Sequence, residues 1–81
     1  AKPEERLCAI RDYIRQMEDT KSILLTIRDY FNCMNRQELP TGIDWVQVLR
    51  FQGYTIDYGI AAAEFEIGWY SRLLCELEEQ P

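Results

Sequence analysis

Leu7-Cys8-Ala9-Ile10-Arg11-Asp12-Tyr13-Ile14-Arg15-Gln16-Met17 and Leu24-Leu25-Thr26-Ile27-Arg28-Asp29-Tyr30-Phe31-Asn32-Cys33-Met34 are one short pattern written twice. Leu, Ile, Arg, Asp, Tyr and Met recur at equal offsets, and the remaining matched position exchanges Ile14 for Phe31. Apolar residues at the first, fourth, eighth and eleventh places share one side of an α-helix and have no sensible place on a strand. The fold class expected from this repeat is all-α.

Projected at about 100° per residue, a shift of seventeen residues turns the stripe by about 100°. One straight helix would then carry two apolar faces, so a break is expected near Glu18-Asp19-Thr20, with Asp19 or Thr20 capping a second helix packed as a hairpin on the first; the alternative is one long, kinked helix. The first helix is expected to start at Pro3, followed by Glu4 and Glu5 at the positive end of its dipole. It should run to about Met17, and the second helix over roughly 21–37.

Downstream, Leu39-Pro40-Thr41-Gly42 reads as the clearest loop, and Thr41 with Asp44 resembles a capping box. A short third helix over about 43–52 would carry Trp45, Val46, Val48, Leu49 and Phe51, apolar over most of its circumference. Gly53 would end it in a left-handed position. Thr55 or Asp57 would cap a long fourth helix from Tyr58 to Glu78. The expected architecture is a compact bundle of about four helices, with residues 1–81 forming a single helical domain.

Composition narrows the function classes. The chain has 81 residues, 47% of them apolar, and a formal net charge of −5. Such a length makes one domain with a small core. No apolar run approaches the roughly 20 residues of a membrane span. The start of the chain, Ala1-Lys2-Pro3-Glu4-Glu5-Arg6, is too polar for a signal peptide, so a cytoplasmic location and no membrane partner are expected. Cys8, Cys33 and Cys75 lack the spacing of a disulfide framework or a zinc site and read as buried or half-buried free thiols.

The chain has no histidine. That removes the usual general base, most metal sites and every histidine-dependent triad. Lys2 and Lys21 stand in polar sequence and do not suggest Schiff-base chemistry. Gly42, Gly53, Gly59 and Gly68 are isolated and form no phosphate loop. The expectation is a protein that is not an enzyme and has no cofactor, metal or catalytic residue.

Charge is segregated. Residues 1–42 balance, whereas residues 43–81 set Asp44, Asp57, Glu64, Glu66, Glu76, Glu78 and Glu79 against Arg50 and Arg72 alone. An acidic half repels phosphate and attracts basic protein surfaces. The expected partner face combines aromatic anchors with carboxylates: Tyr54, Asp57, Tyr58, Glu64, Glu66, Trp69 and Tyr70. Glu66 falls inside the apolar arc of the last helix, formed by Ala62, Ala63, Ile67, Trp69, Tyr70, Leu73, Leu74 and Leu77. If buried it would need an arginine, with Arg11, Arg28 and Arg50 as candidates, hydrogen bonds, or a proton held by a raised pKa; otherwise it would be exposed at a binding surface.

The function expected is a small acidic inhibitor or regulatory adaptor, binding a basic surface of a partner protein or nucleic-acid-processing complex. A homodimer is the related alternative, because helices three and four offer more apolar surface than a chain this short can bury. Residues 45–74 also have the composition of a helix-turn-helix unit, so a DNA-binding regulator is the second class. Glu64 and Glu66 on its recognition helix disfavour nucleic acid as a partner.

Overall fold

The computed structural model describes residues 3–34 and 39–80. They form two long helices, α1 (Pro3–Asn32) and α2 (Trp45–Glu79). Thirty and 35 residues long, they run antiparallel: Arg11 meets Glu78, Lys21 meets Glu64 and Arg28 meets Asp57. The molecule is a rod of 63 × 19 × 14 Å with a radius of gyration of 18.4 Å, against about 12 Å for a compact chain of this length. The compact four-helix bundle is therefore corrected to an extended helical hairpin, all-α as the repeat requires.

Two expected breaks do not occur. Glu18, Asp19 and Thr20 lie within α1, all exposed. The reason is the choice the helix makes at its seam. Leu7, Ile10, Ile14, Met17, Lys21, Leu24, Arg28 and Phe31 alternate steps of three and four and face α2; all but Arg28 are at least half-buried. That is the 3.5-residue repeat of a coiled coil, which keeps one stripe on one side over any length. The second copy of the repeat contributes only Leu24, Arg28 and Phe31 to it. Ile27 and Tyr30, the equivalents of Ile10 and Tyr13, are left on the outside. Residues 35–37, the expected end of the second helix, lie outside the described residues.

Gly53 does not end a helix either. The only described residue with positive φ is Gly42, at 88°, inside the loop where the sequence places it. α2 passes through Gly53 because the seam does: Leu49, Gly53, Ile56, Ile60, Ala63, Ile67, Tyr70, Leu74 and Leu77 repeat by threes and fours and are half-buried or buried. A glycine inside a helix costs about 1 kcal/mol relative to alanine, less than interrupting a continuous apolar seam. Thr55, an expected cap, donates its hydroxyl to the Phe51 carbonyl at 3.0 Å within the helix. Asp57, the other, pairs with Arg28. Residues 45–74 are thus continuous helix, with no turn of a helix-turn-helix.

The capping signal before α2 is real but shifted. Asp44 is itself the N-cap, its side chain accepting from the Gln47 amide at 3.3 Å. Trp45 Nε1 donates to the Pro40 carbonyl at 2.6 Å and fastens the loop to the helix start. At the other end of the loop, the Cys33 amide is shared between the carbonyls of Asp29 and Tyr30, at 3.1 and 3.2 Å, as α1 tightens and stops.

Candidate interaction surface

The hairpin has little interior. Only Ile56, Ile60 and Ala63 are buried among the described residues. They sit mid-seam, where Gly59 lets Leu24 approach: a Cβ added there would lie 2.9 Å from Leu24 Cδ1. Toward the open end, Tyr13 packs edge-on against Tyr70 at 4.9 Å between centroids, and Tyr70 edge-on against Trp69 at 4.9 Å.

Glu66 has found a partner that is not an arginine. Half-buried, it accepts a hydrogen bond from the Tyr13 hydroxyl. The bond to Glu66 raises the Tyr13 pKa above its ordinary 10.0, because ionising the phenol would destroy that bond and set two negative charges side by side; partial desolvation acts in the same sense. The sequence-equivalent Tyr30 is 67% exposed and packs edge-on against its neighbour Phe31.

Three carboxylates of the acidic half, two of them from the expected partner face, lie near cations of α1. Asp57 lies 3.8 Å from Arg28, Glu64 3.9 Å from Lys21 and Glu78 2.9 Å from Arg11. All three pairs are solvent-exposed, each contributing at most about 1 kcal/mol. They nevertheless lend cations of α1 to acids of α2. Of the seven residues read from the sequence as a partner face, Asp57, Glu64, Glu66 and Tyr70 engage α1. Tyr54, Tyr58 and Trp69 stay exposed.

Tyr54 and Tyr58 belong to a larger surface. Phe51, Tyr54, Tyr58 and Phe65 are between 67% and 77% exposed. With Ala61 and Gly68, also exposed, they occupy positions 51, 54, 58, 61, 65 and 68. This is a second stripe with the same alternation of three and four, on the side of α2 opposite the hairpin seam. Phe51, Phe65, Ala61 and Gly68 are absent from the sequence-derived face. The signal that could have found them is the heptad spacing itself, hidden once Gly53 is read as a helix end.

No group of acids or thiols among the described residues could hold a metal ion. Cys8, Cys33 and Cys75 are free thiols as expected but exposed, not buried or half-buried. An open groove of about 360 Å³ at the loop end is lined by Arg28, Arg50 and apolar side chains such as Phe31 and Leu49, with no carboxylate or nucleophile. No helix among the described residues is long and apolar enough to cross a membrane. No family model, curated protein or solved structure matches this chain.

Proposed function

We propose that this chain is a non-enzymatic protein-interaction module that works by docking through the outer face of α2. The observation that carries the reading is the unpartnered stripe of Phe51, Tyr54, Tyr58 and Phe65. Aromatic side chains are the usual anchors of protein interfaces, since each removes a large area from water at small entropic cost. Surface area supports it. The molecule exposes 6677 Å², whereas a compact protein of its 9.6 kDa exposes about 5,100 Å². An excess on the order of 1,600 Å² per chain is the kind of surface an association removes.

The contact is apolar in this reading, not a match of acidic face to basic surface. Asp57 and Glu64 already have cations from α1 and Glu66 a hydroxyl from Tyr13, so attraction by those carboxylates is blunted. Capture from native lysate separates the two mechanisms. Phe51→Ser/Tyr58→Ser/Phe65→Ser should lose the partners of the wild type, copies of the chain itself included, while Glu64→Lys/Glu66→Lys should keep most of them. The reverse pattern would overturn the apolar mechanism. A wild type that captures nothing, itself included, would overturn the function.

A further inference from the structure

We infer that the occupant of the outer stripe is a second copy of this chain, joined α2 to α2 in antiparallel orientation about a two-fold axis midway between Gly59 and Ile60. The inference rests on the docking reading above and names its partner.

The steps from 51 to 68 are three, four, three, four and three, which read the same in both directions. An antiparallel copy therefore meets the stripe level by level. Phe51 stands opposite Gly68 of the second copy, Tyr54 opposite Phe65, and Tyr58 opposite Ala61; the two-fold axis repeats each pair in reverse. Both small residues face an aromatic ring, and the remaining pair is aromatic on aromatic. A Cβ added to Gly68 meets nothing within 4 Å, so in the single hairpin that notch is open space. In the paired arrangement it receives Phe51, large side chain into small gap, the way packed helices interdigitate. A parallel pair would set Gly68 on Gly68 and Ala61 on Ala61, leaving two gaps and crowding the rings.

The ends of the stripe fit as well. One step outward in the same register, Gln47 faces Arg72, a polar pair whose amide carbonyl can accept from the guanidinium. Apolar contact thus stops at both ends together. Along one flank the register brings Asp57 level with Glu64 of the second copy. Each arrives beside a cation of its own α1, Arg28 and Lys21, which moderates their repulsion. An interface of this kind is isologous and closes on itself. The seam is about 25 Å long at 1.5 Å per residue. Four rings, largely exposed now, remove on the order of 500 Å² per chain. Two chains thus reach about 1,000 Å² before neighbouring atoms are counted, the lower bound for a specific interface.

Sedimentation of the full chain across the micromolar range tests the pairing. The wild type should sediment as a dimer, and Phe65→Glu should weaken dimerisation at least about a hundredfold, because it buries a charge in the seam. Gly68→Leu is the sharper variant. It makes the stripe more apolar yet fills the notch, so it should weaken the dimer about tenfold; stronger association would mean unspecific adhesion and overturn the register. Helix content by circular dichroism confirms that each variant still forms the hairpin. Spin labels on Cys75, with Cys8→Ser and Cys33→Ser, should report a separation of about 45–50 Å between copies at 1.5 Å rise per residue. A short distance, as in a parallel pair, would overturn the orientation. A wild type monomeric throughout, yet capturing other proteins through its aromatic face, would overturn self-pairing and leave the docking reading standing. Monomeric behaviour without capture would end both.

Discussion

α2 carries two stripes built on the same spacing, and only one of them is covered. The inner stripe holds Ile56, Ile60 and Ala63, the three buried side chains among the described residues. The outer stripe holds Phe51, Tyr54, Tyr58 and Phe65, each more than half exposed. The inner one is aliphatic and small in its middle, so α1 can come close, as Leu24 does at Gly59. The outer one is aromatic, with gaps at Ala61 and Gly68. Folding of the hairpin covers one apolar side of α2 and leaves the other exposed. The difference teaches that periodicity locates an interface, while side-chain size and what covers it decide whether that interface lies within the chain or between chains.

The contrast breaks most visibly in the middle of the hairpin. Ile60→Ala should lower the free energy of unfolding by about 2–4 kcal/mol. Tyr58→Ser, two residues away but on the outer stripe, should leave the hairpin within about 0.5 kcal/mol of wild type at concentrations where the chain is monomeric. Urea unfolding followed by circular dichroism measures both; equal losses would mean that the stripes are not distinct.

The two copies of the repeat give a second comparison, in Tyr13 and Tyr30. Tyr13→Phe removes the hydrogen bond to Glu66 and should lower the urea midpoint, whereas Tyr30→Phe should not. The pH dependence follows from the direction of the Tyr13 shift. Its folded pKa lies above the unfolded 10.0, so the stabilisation is complete below the unfolded value. It is lost as pH rises through the higher folded value. Wild type should therefore lose stability in strong alkali more steeply than Tyr13→Phe. Parallel alkaline profiles for the two proteins would remove this assignment.

The smallest expected effect concerns two glycines on the side of α2 that faces α1. Gly53 faces the seam with open space around a would-be Cβ, so Gly53→Ala should raise stability by about 0.5–1 kcal/mol through helix propensity. Gly59→Ala should gain less, because Leu24 Cδ1 must move aside. Thermal melts of the pair sharpen the picture of where α1 and α2 touch; a larger gain at Gly59 than at Gly53 would reverse it.

Much of the fold is legible in local sequence. The repeat fixes helix. Pro3 with Glu4 and Glu5 marks the start of α1, Pro40 to Gly42 the turn, and Asp44 the cap of α2. The candidate site is less legible. Of the residues read as a partner face, Tyr54, Tyr58 and Trp69 are exposed, whereas Asp57, Glu64, Glu66 and Tyr70 contact α1. Their partners, Arg28, Lys21 and Tyr13, lie far away along the chain, and no local rule pairs them.

The sequence by itself determined that this chain is helical and where its loop falls. Only the tertiary structure decided that the helices of the described residues number two. Continuity at Thr20 and Gly53 depends on a seam shared between distant segments, and such a seam offsets the local penalties that argue for a break. The same pairing of distant segments decided which apolar stripe is hidden and which is left exposed, because residues of one helix cannot specify from spacing alone which of their two faces another helix will cover.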